Sequence, residues 1–283
     1  MQDFSPDDER LDDPFEIDTS VAHPARRYNY WLGGSDNFAA DRASGDAGEA
    51  AFPAVRIAAV ENRRFLHRAV TFLVKDAGIR QFLDIGTGIP SAGNVHEVAQ
   101  AIAPETRVVY ADNDPIVLAH ARRLLTSTPE GATAYIHADL RAPDQILEHP
   151  DLLNTLDLSR PVALMLIAVA HFLDDADDPH ARVRTLIGAL APGSCLAMSH
   201  GTHDFWPADL RASMTAWIER ERSGSRYPMR ARNKAEFTEF FDGLDPVPPG
   251  VVAASEWRND DPPHGHASAA DVASYAAVAR IVG

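Results

Sequence analysis

Three carboxylates and a pair of glycines are the residues of this 283-residue chain whose types and spacing point to chemistry. Asp84, Gly86, Thr87 and Gly88 sit in the run Phe82-Leu83-Asp84-Ile85-Gly86-Thr87-Gly88-Ile89-Pro90. Asp112 closes Val108-Val109-Tyr110-Ala111-Asp112, and Asp139 stands in His137-Ala138-Asp139-Leu140. Each acid follows a stretch of strand length, so each is expected at a strand end, where open α/β sheets bind ligands. Glycines there let backbone approach a ligand closely. A carboxylate ending the second strand can accept hydrogen bonds from both hydroxyls of an adenosine ribose. Two nucleosides compete for such a site. NAD would place a pyrophosphate on the glycine turn and helix N-terminus, which favours donors and disfavours nearby carboxylates. Here Asp84 precedes the turn, and Ser91 replaces the third glycine of G-x-G-x-x-G. S-adenosylmethionine (SAM) carries a sulfonium, an ammonium and one carboxylate, so an acid-rich mouth suits it better. SAM is the expected cofactor.

Other reactive residues stand further along. His171, in Ala170-His171-Phe172 after the fourth strand, is expected to face the reaction cleft, where a neutral imidazole can take a substrate proton. His200 and His203 follow the fifth strand. A base is not obligatory, because alignment of nucleophile and methyl can suffice. Near the start, Arg26-Arg27-Tyr28-Asn29-Tyr30-Trp31-Leu32-Gly33-Gly34-Ser35-Asp36-Asn37-Phe38 has two readings. It is a helix stopped by Gly33-Gly34 and packed on the sheet, or a lid using Tyr28, Tyr30 and Asn37. Cys195 is expected to be a small core residue. His264-Gly265-His266 is too short a pattern for a metal site, and no metal is expected.

The elements that must position these groups alternate between strand and helix patterns. A long helix is predicted over 55–74, with Phe65, Ala69, Phe72 and Leu73 on one face. Strands are predicted over 81–85, 107–111, 134–138, 161–169 and 194–199. Between them, Ser91 is predicted to cap one helix, and Asp114 with Pro115 to open another carrying Val117, Ala121, Leu124 and Leu125. A third opens at Asp178-Pro179. The nearly all-apolar fourth strand fits a sheet covered on both faces. Such alternation implies a parallel sheet with right-handed crossovers. Helices over 208–222 and 233–241 follow, and then strand-like runs at 251–257 and 274–281, expected to be antiparallel neighbours.

Composition narrows the function classes. The formal charge is −15, and the first twenty residues hold eight acids against one base. That stretch has too few apolar residues to offset its ordering entropy, so residues 1–20 are expected to be a disordered acidic tail. The acidic body argues against general nucleic-acid binding. The longest apolar run, 162–170, is too short to span a bilayer. One cysteine and no visible signal segment suit the cytoplasm.

Asp84-x-Gly86-x-Gly88, Asp112, Asp139 and Leu190-Ala191-Pro192-Gly193-Ser194 resemble the signatures of class I SAM-dependent methyltransferases. More narrowly, Tyr30 to Phe38, Phe82 to Pro90 and Tyr110-Ala111-Asp112-Asn113-Asp114-Pro115 are similar to one bacterial SAM methyltransferase family long catalogued as a domain of unknown function. The resemblance implies that Gly86, Thr87 and Gly88 pass along the methionine end of SAM, with Asp84 near its ammonium. It implies Asp112 on the ribose, Asn113 beside the adenine, Asp139 at the adenine amino group and Leu140 packing nearby. Pro90 stands where many members have a third glycine, so this turn is expected to be stiffer.

The expected fold is therefore α/β. It is a Rossmann-like, seven-stranded methyltransferase sheet, mostly parallel with an antiparallel edge strand, under an N-terminal helical cover. The cover is expected over 21–78 and the SAM-binding domain over 79–283, with a helical insertion at about 202–248. The expected reaction is methyl transfer to the oxygen or nitrogen of a small-molecule acceptor, with neither nucleic acid nor membrane as partner. The alternatives are a nicotinamide-dependent oxidoreductase and a non-catalytic SAM-binding sensor.

Overall fold

The computed structural model describes residues 18–117, 127–224, 227, 229–259 and 267–283. The acidic stretch before residue 18, the predicted helix beyond Val117 and most of the His264 loop lie outside the described residues.

Five strands run parallel: β1 (Gln81–Ile85), β2 (Arg107–Asp112), β3 (Ala132–His137), β4 (Ala163–Ile167) and β5 (Cys195–Gly201). β8 (Ser274–Arg280) pairs antiparallel with β5. The sheet order is β3-β2-β1-β4-β5-β8, and two further short strands pair with β8. The order reverses between β1 and β4, and the carboxyl ends of those strands open onto a crevice. Alternation along β1 divides the core. Leu83 and Ile85 face a layer with Leu164, Leu186 and Phe240. Phe82 faces the opposite layer with Phe65, Leu73 and Trp257. Asp84 shares the second face by strand periodicity, which aims it at the layer formed by the long helix.

The sheet has eight strands where seven were expected. β6 (Asp245–Pro246) and β7 (Val252–Ala253) both pair antiparallel with β8, opposite Arg280 and Ala279 and opposite Ala276 and Tyr275. They are two pieces of one edge line, parted at Pro248-Pro249-Gly250. Proline has no N–H to give the ladder, so the line breaks there. The run predicted over 251–257 pairs for only two residues because the chain then turns to bury Trp257. That indole sits edge-on to Phe65 and Phe72, with centroids 5.4 and 5.9 Å away. Arg68 holds the turn by donating to the carbonyls of Ala254 (2.6 Å) and Trp257 (2.8 Å).

Three helices precede the sheet: α1 (Pro24–Trp31), α2 (Ala39–Ala51) and α3 (Val55–Lys75). α2 was not anticipated, because its sequence AADRASGDAGEAA carries almost no large apolar residue. Its glycines are contact points. A Cβ on Gly45 would lie 2.6 Å from Tyr30, and one on Gly48 would lie 3.0 Å from Trp31 and 3.1 Å from Trp217. α1 is tied to the sheet by Arg26, which donates to both carboxylate oxygens of Asp114 at 2.8 and 3.0 Å, wholly buried. Past β1, the helix α4 (Val95–Gln100) is capped by Asn94 rather than by Ser91. Pro90 and Gly93, the latter at φ +77°, lengthen the turn. Glu97 then accepts from the N–H groups of Gly93 and Asn94, completing a capping box. Between β5 and the sheet edge lie the helix Ala208–Gly224 and a shorter helical pair, Lys234–Thr238 and Glu239–Phe241.

Candidate active site

One cavity runs over the carboxyl ends of β1 to β5 and under the N-terminal helices, with a volume of about 1660 Å³ counting its open mouth. Asp84, Gly86, Thr87, Gly88, Asp112, Asn113, Asp139, Leu140 and His171 all line it.

β1 ends in a bend that only glycine makes cheaply. Gly86 and Gly88 have φ of +73° and +68°. A Cβ on Gly86 would also lie 2.2 Å from Val169, so the β1 and β4 ends meet there without room for a side chain. Asp112 reaches across to this bend. Its two oxygens accept from the N–H of Gly88 and the N–H of Asp114, at 2.8 and 2.9 Å. Burial raises the Asp112 carboxyl to about 6, against the lowering effect of those amides. Burial raises the Asp84 carboxyl to about 7, with Arg63 opposing and Asp112 adding repulsion. Two buried acids beside one bend are held where a cation would stabilise both ionised forms.

Asp139 is gripped from two sides. Asn113 donates to it at 2.7 Å, and Arg141 donates through its backbone N–H (2.8 Å) and its guanidinium (3.1 and 3.2 Å). Arg141 also reaches the carbonyl of Phe172 after β4, linking the β3 and β4 ends.

His171 and His200 stand edge to face, with centroids 5.5 Å apart. His200 Nδ1 lies 2.8 Å from its neighbour's carbonyl, which assigns the proton to Nδ1. Its Nε2 then accepts from the buried guanidinium of Arg232 at 3.0 Å. His171 Nδ1 accepts the N–H of Gly201 at 3.3 Å, so its neutral ring carries the proton on Nε2. Burial, followed by the charges of Arg232 and Arg27, pushes His171 down to about 3. His203 is only part-buried and does not line the cavity.

Of the three residues predicted for a lid, Tyr28 lines the cavity, whereas Tyr30 and Asn37 do not. Tyr30 bonds Asp46 at the surface and stacks on Arg56. Asn37 is buried and ties Asn29 to the carbonyl of Gly34. Both belong to the packing of the α1–α2 turn, because Gly33 at φ +82° folds that turn back on α1. Sequence reasoning missed several lining residues. Asn62 and Ser199 form a chain with the predicted Tyr28: Asn62 donates to the Tyr28 hydroxyl (2.9 Å), and Ser199 donates to Asn62 (2.5 Å). Ser199 also accepts the N–H of Ala168, which sits at φ +55°. Arg63 from α3 and the aromatic pair Trp206 and Trp217 were likewise unmarked by any local pattern. Among the described residues no group of three His, Cys, Asp or Glu side chains gathers to hold a metal.

The strand order, the antiparallel β8 and a carboxylate at the ends of β1, β2 and β3 define a class I SAM-dependent methyltransferase. The chain belongs to the S-adenosyl methyltransferase family, whose model matches residues 11–282. It is similar to a DUF574 family protein from Streptomyces avermitilis, with 49% identity over 94% of this chain and 100% of that one, TM-score 0.89. It is similar to a putative methyltransferase from Thermobifida fusca, with 39% identity over 94% and 97% of the two chains, TM-score 0.84. The mitomycin 7-O-methyltransferase shares the fold at 16% identity, covering 80% of this chain and 56% of that one, TM-score 0.50. No curated protein matches the chain. The cofactor is S-adenosylmethionine, and the buried Asp84 carboxyl suits its cationic groups.

Proposed function

We propose that this methyltransferase acts on a small-molecule acceptor through oxygen or nitrogen. The observation that carries this reading is the continuity of the cavity. The carboxylate mouth opens directly into an apolar lobe roofed by α1, α2 and the helix Ala208–Gly224. A ligand there is enclosed by protein, which suits a small acceptor held dry and aligned. When bound, SAM supplies a methyl group on a sulfonium; the acceptor lone pair forms the new bond to carbon, and the C–S pair stays on sulfur.

The chain's own residues bind and orient. Asp84 pairs with the ammonium, and Arg63, the cation whose field reaches Asp84, faces the carboxylate. Gly86, Thr87 and Gly88 form the bend along the methionine chain. Asp112 takes the ribose hydroxyls with lone pairs left by its two amide bonds. Asp139, braced by Arg141, takes the adenine amino group, with Asn113 and Leu140 against the ring. Tyr28 covers the mouth from α1. His171 meets the acceptor as a neutral Nε2–H donor. Serving as general base would require its Nδ1 to give up the N–H of Gly201, so orientation of the acceptor is its first role. The only cysteine, Cys195, is buried in β5, which suits a reducing compartment such as the cytoplasm.

The test is transfer of isotope-labelled methyl from SAM across a panel of small phenols, carboxylates and amines. Labelled product is expected with the natural chain and at least tenfold less with Asp112→Ala at limiting SAM. SAM binding with no product from any acceptor would favour a sensor instead.

A further inference from the structure

The turn that carries His171 is held by a segment that the methyl-transfer reading leaves unused, residues 230–232. The N–H of Arg230 donates to the His171 carbonyl at 2.7 Å, and the N–H of Arg232 donates to the Gly201 carbonyl at 3.2 Å. The segment therefore bridges the turn after β4 and the end of β5. Arg232 sends its side chain inward, where the residue is 1% exposed. Arginine is almost never so buried unless its charge and its N–H groups find partners. Nη1 donates to the carbonyl of Ala170 (3.3 Å) and to His200 Nε2 (3.0 Å). Nη2 donates to the carbonyl of Leu173 (3.2 Å) and to Asp175 (3.0 Å). The other oxygen of Asp175 accepts from Arg230 at 3.2 Å, so one exposed carboxylate steadies both arginines.

These bonds reach His171 by two routes. Along the backbone, the carbonyls of Ala170 and Leu173 bracket the turn Ala170–Phe172, and one planar fork holds both. The second route runs through His200. A guanidinium has no acceptor, so His200 Nε2 must be bare and the ring proton sits on Nδ1. That Nδ1–H meets the Gly201 carbonyl at 2.8 Å, the same oxygen that the Arg232 N–H holds. Gly201 in turn presents its N–H to His171 Nδ1 at 3.3 Å. An amide N–H cannot accept either, so His171 carries its proton on Nε2. His171 and His200 line the cavity, whereas Arg232 does not.

We infer that Arg232 is a positioning residue for methyl transfer: through His200, Gly201 and the turn at Ala170 it fixes His171 as a donor that offers Nε2–H to the acceptor. This rests on the methyltransferase reading and names the support of its acceptor-orienting histidine. Arg232 acts without touching either ligand. Lysine is not its equal, because a single ammonium cannot span two carbonyls, an imidazole and a carboxylate in one plane.

The experiment records two-bond proton–nitrogen-15 spectra of the full chain with labelled histidine rings, saturated with S-adenosylhomocysteine at pH 7. His171→Gln and His200→Gln assign the two rings. The expected result is one neutral tautomer for each, Nε2–H for His171 and Nδ1–H for His200. Arg232→Met fills similar space without donors. It should leave S-adenosylhomocysteine affinity unchanged, give His200 both tautomers and speed exchange of the Gly201 amide about tenfold. Arg232→Lys, which returns a donor to His200 Nε2, should return its single tautomer. Packing alone would move no tautomer. If Arg232→Met fails to fold, Asp175→Asn loosens the guanidinium from the surface, and the same changes are expected in smaller measure. A proton on His200 Nε2, a proton on His171 Nδ1, or tautomers and Gly201 exchange unchanged in the folded variants would overturn the proposal. The spectra do not depend on turnover, so absence of methyl transfer to any acceptor counts against the function reading and not against these tautomers.

Discussion

At the scale of single residues, the site is governed by acids that burial makes reluctant to ionise. With Asp84 raised to about 7 and Asp112 to about 6, the empty fold binds protons that the unfolded chain has already released. A raised carboxyl contributes stability below its unfolded pKa and loses it as pH climbs through the folded value, here between about 4 and 7. Buried histidines act oppositely in the same window. His171, held down to about 3, and His23, held down to about 4 by burial, cost stability as pH falls below about 6.5. A bound ligand's ammonium removes only the carboxylate cost. S-adenosylhomocysteine affinity should therefore rise between pH 5 and 7, by up to roughly tenfold per unit for one coupled proton, and level off above 7. Calorimetry in two buffers of different ionisation enthalpy should show proton release at pH 6. Affinity independent of pH with no proton release would contradict ionisation of Asp84 on binding. For His171, the low pKa keeps the ring neutral from pH 5 to 9. His171→Ala should slow turnover by about ten- to a hundredfold, with SAM affinity unchanged and no new titration in the kcat profile. Undiminished turnover would remove it from the reaction.

At the scale of elements, a buried pair joins the N-terminal cover to the cofactor mouth. Arg26 on α1 holds Asp114, and the N–H of Asp114 bonds Asp112. Arg26→Ala leaves a buried carboxylate without that cation, which should cost about 3–5 kcal/mol in urea unfolding. It should also weaken SAM binding, because the backbone that carries Asp112 loosens. A loss under about 1 kcal/mol with normal SAM affinity would show that the cover is fastened elsewhere. Elements were unevenly legible in the sequence. β1, β2, β4 and β5 read clearly because both their faces are buried and most of their residues are apolar, whereas β3 is half-buried. α2 carried no signal, since Gly45 and Gly48 pack by lacking side chains. β6 is two residues long, and no periodicity can mark it. The Ser91 cap was misplaced because Asn94, three residues later, forms a capping box with Glu97.

At the scale of the molecule, one cavity joins a carboxylate mouth to an apolar lobe, and only the mouth was legible. The cofactor mouth could be read because Asp84, Asp112 and Asp139 each end a strand, so topology alone brings them together. The apolar lobe could not. It joins Trp31 to Trp206 and Trp217, residues remote in sequence that no spacing rule connects. Among the described residues no helix is long and apolar enough to cross a membrane. The arrangement of the whole turns on the mouth accepting a nucleoside that bears an ammonium and rejecting a dinucleotide diphosphate. Side-by-side calorimetric titration of the full chain with S-adenosylhomocysteine and with NAD tests this most directly. Saturable one-to-one binding of S-adenosylhomocysteine and no heat from NAD is the expected result. Saturable NAD binding with no heat from S-adenosylhomocysteine would contradict it.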